Sequence, residues 1–162
     1  WAKEFLNGYD STWACDACAR TRGRGMGILV SKRLPEAAPT LVSRDPEGRY
    51  ILVELNVYAR RTLLVGVHAD NDTDSEQAAF YARLQAALPT RMSAYDDVIM
   101  IGDMNNVEVR HLDYSHPHTA GWADTGQEPR TAGVAALQDL GVEMGGLTDA
   151  FRHLHPRVRE YT

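Results

Sequence analysis

The sequence predicts a layered α/β (α+β) sandwich, with mixed, largely antiparallel β-sheets and helices on the outside. Three observations predict it. Three β-prone apolar runs between Thr40 and His68 are joined by short turns, which makes an antiparallel meander. Strand-like segments outnumber helical ones. The two helical patterns come after hairpin-linked strands, where a strictly parallel fold would alternate strand and helix. The 162 residues suit one domain spanning 1–162. A chain near this size buries roughly 68–70% of its unfolded surface, enough for a sizeable core.

Taken in order, Trp1 to Ala14 is aromatic-rich and suits a short helix or a packed loop. Thr21 to Gly27 is rich in Arg and Gly and reads as a turn. Met26 to Lys32 reads as a strand. Asp45-Pro46-Glu47-Gly48 is a turn with a mechanism, since Pro presets φ and Gly permits a positive one. It separates Thr40–Ser43 from the strand Arg49–Val57, and Ala59-Arg60-Arg61 is expected to turn the chain into Thr62–His68. Thr73-Asp74-Ser75-Glu76 offers N-cap chemistry. Ala79, Phe80, Leu84, Ala87 and Leu88 then recur at helical spacing before Pro89. Val98–Ile101 is a short apolar strand. Asn106 to Arg130 shows no clear period, and a stretch of that length in a compact domain is usually functional or disordered. Thr131–Leu140 reads as a second amphipathic helix, and Leu147–Leu154 as a short element packed inward.

Composition narrows the function. A net charge of −5 excludes a protein that holds nucleic acid by bulk basic charge. It leaves room for an enzyme that meets phosphodiesters through a divalent cation and a few arginines. Arg20, Arg22 and Arg24 form one small basic cluster, Arg60 and Arg61 another; each reads first as a solvated loop and second as a phosphate contact. Cys15 and Cys18 form a single Cys-x-x-Cys with no partner motif, so two ordinary thiols in a reducing, intracellular compartment are expected ahead of zinc or redox chemistry. No apolar stretch approaches the roughly 18–20 residues of a membrane span.

The most informative local pattern is Gly102-Asp103-Met104-Asn105 at the end of Val98-Ile99-Met100-Ile101. While the backbone stays extended, Asp103 and Asn105 point to one face. An acid and an amide side by side at a strand end suit a metal, a water or a phosphate. The plainer possibility is a strand-end pair that caps the following loop.

Five blocks in this order resemble the endonuclease/exonuclease/phosphatase superfamily, the fold of pancreatic deoxyribonuclease and of apurinic-site endonucleases. They are Gly25–Lys32, Glu47–Val53, Leu64–Asn71, Val98–Asn105 and Leu147–Arg152, the last with His155-Pro156 and Glu160-Tyr161-Thr162. The likeness is nearest to the endonuclease domains of non-long-terminal-repeat retrotransposons. It implies two packed mixed sheets with outer helices, and cleavage of phosphodiesters or phosphomonoesters with magnesium, or with manganese in its place. It implies that Asp103 orients and deprotonates the attacking water and contributes to the metal site. Asn105 would hydrogen-bond the reacting phosphate, and His68 would stand near the scissile phosphate and serve the leaving oxygen. The side-chain types fit that chemistry: phosphoryl transfer needs positioning and charge neutralisation, and histidine changes charge near neutrality. A strand-end histidine that simply packs is the alternative for His68. Asn71 matches a polar position in the adjoining loop, and Arg110 and His111 fall where related endonucleases approach DNA.

The departures carry weight too. Met104 stands where the family has an aromatic residue, and Asp70 where it has a proline. The resemblance matches this chain to the middle of a deoxyribonuclease-like domain, incomplete at both ends. The metal-binding glutamate would lie before the matched blocks and the terminal Ser/Asp-His motif after them. Glu36, Glu54 and Glu108 are poor substitutes for that glutamate. His111, Asp113, His116 and His118 have the residue types of a zinc site but not its spacing. Two functional readings therefore stand: a DNA-nicking, metal-dependent phosphodiesterase of retroelement type, nuclear in that case, or a noncatalytic piece of the fold. For the latter, exposed sheet edges would invite self-association or a partner chain.

Overall fold

The computed structural model describes residues 8–15, 25–34, 36–106 and 131–157, and for 10–15 the backbone alone. Six strands lie along it: β1 Tyr9–Cys15, β2 Gly25–Ser31, β3 Thr40–Arg44, β4 Tyr50–Val57, β5 Arg60–His68 and β6 Asp97–Asp103. Three helices follow the meander: α1 Asp74–Ala86, α2 Thr131–Glu143 and α3 Ala150–Leu154, with a 3-10 turn at Met92–Ala94. β1 and β2 pair antiparallel as a two-stranded sheet. The larger sheet has the order β3-β4-β5-β6, antiparallel except for the parallel pair β5–β6. The mixed, largely antiparallel sheet with outer helices expected from the sequence is what the chain forms.

The layering follows from alternation along the strands. On one face, Tyr50, Leu52, Leu63, Val65 and Val67 pack against Phe80, Tyr81 and Leu84 of α1 and Leu140 of α2. On the other, Ile51, Val53, Leu55 and Leu64 meet Met26 and Ile28 of β2. β4 is buried on both sides, which is why Tyr50–Val53 reads as an unbroken apolar run with no alternation. The hairpin–sheet–helix order places two apolar layers around one central sheet.

Local chemistry sets the turns and ends. Gly48 takes φ 75° after Pro46, and its N–H closes the turn on the Asp45 carbonyl at 3.1 Å. Thr73 caps α1, its hydroxyl accepting from the Glu76 N–H at 3.2 Å. The stripe that α1 buries is Gln77, Phe80, Tyr81 and Leu84, at spacings of three and four residues. Ala79, expected in the stripe, faces out, and a glutamine takes its share of the core.

Four other expectations change, the first at Leu147–Leu154: Leu147 packs inward, but Phe151 and Leu154 of α3 are exposed. The aromatic N-terminal segment is a strand, β1, over its described part, because its backbone pairs with β2 from Tyr9↔Ser31 to Cys15↔Gly25. Gly25, expected in a turn, opens β2 for the same reason, ahead of the strand expected from Met26. The tight turn before β5 is Tyr58-Ala59, both in left-handed backbone at φ 50° and 61°, which leaves Arg60 and Arg61 inside the strand.

Those two arginines are ion-paired. Arg60 bonds Asp97, and Arg61 grips Glu54 with two bonds of 2.9 and 2.8 Å, with the Tyr95 hydroxyl also donating to Glu54. The hydrogen bonds from Arg61 hold the Glu54 carboxyl below the usual carboxylate range. A carboxyl lowered on folding stabilises the fold above its unfolded value, and that gain is lost as pH falls through the lower folded value. Glu54→Gln should therefore lower the melting temperature at pH 7, with the difference from the parent shrinking as pH falls below the usual carboxylate range in paired thermal melts.

The β5–β6 register depends on Gly102. Its φ is +139°, and a Cβ there would fall on the Val67 carbonyl oxygen of the neighbouring strand. Only glycine meets both demands. Gly102→Ala should lower the melting temperature by roughly 5–10 °C, read by circular dichroism.

Candidate functional site

β5 and β6 end together. Their parallel register pairs Leu64 with Ile99, Gly66 with Ile101 and His68 with Asp103, so the last two side chains stand as neighbours on the hairpin side of the sheet. Both are exposed. The carboxyl ends of adjacent parallel strands are where ligands meet open α/β sheets.

Asn105 joins them by a route the sequence did not suggest. The extended backbone stops at Asp103, and Asn105 takes left-handed φ, 45°. What brings acid and amide together is a turn: Asp103 Oδ1 accepts from the Asn105 N–H at 2.9 Å. Asparagine tolerates that backbone better than most residues and aspartate readily closes such turns. Asp103 is thus also the loop cap that the plainer reading described. Among the described residues its second oxygen, Oδ2, has no protein partner.

The loop after β5 is held against the loop after β6. The Asn105 side-chain Nδ2 donates to the Ala69 carbonyl at 2.8 Å, and the Ala69 N–H donates to the Asp103 carbonyl at 2.9 Å. From below, Gln77 sends its Nε2 to the carbonyls of Asp70 at 3.2 Å and of Asn105. The Tyr81 hydroxyl donates to the Met104 carbonyl at 2.6 Å. Met104 itself packs against the helix-side core, so an apolar side chain at that position has a packing role. Gln77 and Tyr81 are two site-organising residues that sequence reasoning missed. The one available signal was a polar residue on the buried stripe of α1.

Asn71 lies just beyond, exposed, three residues after His68. Arg110 and His111, with Asp113, His116, His118, Glu108 and Cys18, fall outside the described residues; Cys15 lies in β1, where the backbone alone is described. Glu36 is exposed and Glu54 is engaged with Arg61 at the opposite end of the sheet, so neither joins the site. Among the described residues no group of three or more His, Cys, Asp or Glu gathers that could hold a metal. The site offers one carboxylate, which suits a cation that keeps most of its water and not a dedicated protein cage.

Neither protein-family models nor curated protein sequences match this chain. A solved structure does match: the AP endonuclease LMAP from Leishmania major, with a TM-score of 0.62 over 94% of this chain at 16% identity. The shared feature is the fold. The chain spans about half of that endonuclease, 54% of its length. No helix among the described residues is long and apolar enough to cross a membrane.

The Gln77 bonds carry a stability consequence. Gln77→Leu keeps the volume but strips donors from two half-buried loops. Because Gln77 Oε1 itself lacks a hydrogen-bond partner among the described residues, part of that cost is offset. A loss of about 1–2 kcal/mol is expected in urea unfolding, with faster amide exchange across 104–106 than elsewhere.

Proposed function

We propose that this chain carries part of the active site of a metal-dependent phosphodiesterase that nicks DNA, in the manner of a retroelement endonuclease. The observation that carries the reading is the meeting of His68, Asp103 and Asn105 at the flush ends of two parallel strands. The LMAP likeness supports it at the level of fold.

In this reading, Asp103 Oδ2 takes the proton of the attacking water as its oxygen bonds to phosphorus. The P–O bond opposite breaks, and His68 gives a proton to the departing oxygen. Asn105, its amide fixed by the Ala69 carbonyl, steadies the phosphate, with Asn71 at the rim. Arg110 and His111 would touch the DNA farther out. Magnesium, or manganese in its place, held through Asp103, would neutralise phosphate charge. An enzyme of this kind would act in the nucleus, where its DNA lies.

Two variants test this with supercoiled plasmid and magnesium. Asp103→Asn keeps an oxygen for the Asn105 N–H but removes the proton acceptor. Nicking should fall by roughly 10²–10⁴-fold with the melting temperature close to the parent's. Asn105→Gly suits the left-handed backbone and removes only the side chain; it should cost rate more than stability. Nicking by the parent that persists unchanged in Asp103→Asn would contradict the assignment.

One observation favours a second reading, a noncatalytic module of this fold. Ile99 and Ile101 of β6 are 48% and 59% exposed on the hairpin side, and β6 is an edge strand in the described sheet. An apolar edge of this kind invites self-association or a partner strand. Absence of nicking together with concentration-dependent dimerisation in sedimentation would favour that reading.

A further inference from the structure

One residue of β4's entry turn holds the end of β5 at His68 and the loop after it at three successive points. The Arg49 carbonyl accepts the His68 N–H at 2.8 Å. Its Nη1 donates to the Ala69 carbonyl at 3.4 Å, and its Nη2 is ion-paired with the Asp70 carboxylate. The Ala69 carbonyl is the same acceptor that the Asn105 amide uses. Arg49 is itself anchored, its N–H donating to Asp45 Oδ2 at 3.0 Å. Arg83 of α1 approaches Asp70 Oδ2 at 3.6 Å from the other side, so the carboxylate sits between cations from two layers.

We propose that Arg49, acting through Asp70, is a positioning residue that sets where His68 and Asn105 stand relative to Asp103. The inference rests on the site reading given above. The side chains of Arg49 and Asp70 are only 7% and 13% exposed. A pair so far out of water gains little net stability, because desolvation offsets the attraction, and an apolar pair of similar size often folds as well. What a planar guanidinium supplies that an apolar pair cannot is direction: two donors in a fixed fork fix two neighbouring acceptors at once. Here the acceptors are the carbonyl that orients the Asn105 amide and the residue that follows it. A proline would stiffen the loop through its own φ. This chain has Asp70 there, and the stiffness comes from across the sheet.

The test uses the whole 162-residue chain. Arg49→Met/Asp70→Leu replaces the ion pair by apolar groups, and Arg49→Lys keeps the charge without the fork. Arg61→Met breaks a more exposed pair at the far end of β5 and controls for general loosening. Three quantities are read: melting temperature, hydrogen exchange of the Asn105 side-chain amide by NMR, and kcat and KM for plasmid nicking with magnesium. The double variant should melt within a few degrees of the parent and exchange the Asn105 amide at least tenfold faster. Its kcat should fall at least tenfold with little change in KM. Arg49→Lys should fall between it and the parent, and Arg61→Met should leave exchange and kcat at parental values. A folded double variant with parental Asn105 exchange overturns the proposal. If the double variant does not fold, Arg49→Lys decides on the same measure. A parent chain that nicks nothing defeats the nuclease reading, while the exchange data still decide whether Arg49 sets the geometry.

Discussion

The whole arrangement depends on a close approach between two backbones. At Gly102 the chain passes so near the Val67 carbonyl that no side chain fits, and this contact holds β6 in parallel register with β5. Parallel neighbours finish at the same level only if the register is right. One residue of slip would turn Asp103 to the helix side and leave His68 without a neighbour. His68 and Asp103 thus owe their proximity to a position that carries no side chain. Their surroundings add a second layer of constraint, because the loops after β5 and β6 are bonded to each other and to α1 before any ligand arrives.

The sheet's two faces divide the labour. The helix side is filled by aromatic and aliphatic side chains from β4, β5, α1 and α2. The hairpin side is covered over β4 and β5 by Met26 and Ile28, and it opens toward β6, where Ile99 and Ile101 lead to the exposed Asp103. The opening and the strand ends that bear His68 and Asp103 share one face, so whatever covers that strip comes within reach of both residues.

Local patterns were legible in the sequence where local physics decides. The Pro46–Gly48 turn, the Thr73 cap, the β3–β5 meander and the apolar run before Gly102 each follow from neighbours within a few residues. What escaped was non-local. β1 becomes a strand by pairing with β2. Gln77 looks like a solvent-facing residue until two distant loops present carbonyls to it. Asp103 and Asn105 were expected to align through the pleat, yet a side-chain-capped turn aligns them, because the extended backbone ends one residue too soon. The role of Arg49 was invisible for the same reason: its partners lie about twenty residues away along the chain.

The buried glutamine has one more effect. Its amide nitrogen touches the Asn105 carbonyl, and its oxygen lies where a Cβ on Gly133 would be. Asp74, three residues before it, accepts from the N–H groups of Ala132 and Gly133 at 3.0 and 2.7 Å. The chain positions on either side of 107–130 are therefore brought within reach of one side chain. Closing a loop costs only about 0.6 kcal/mol more for each doubling of its length. A change in the length of chain between these two ends therefore costs the scaffold little.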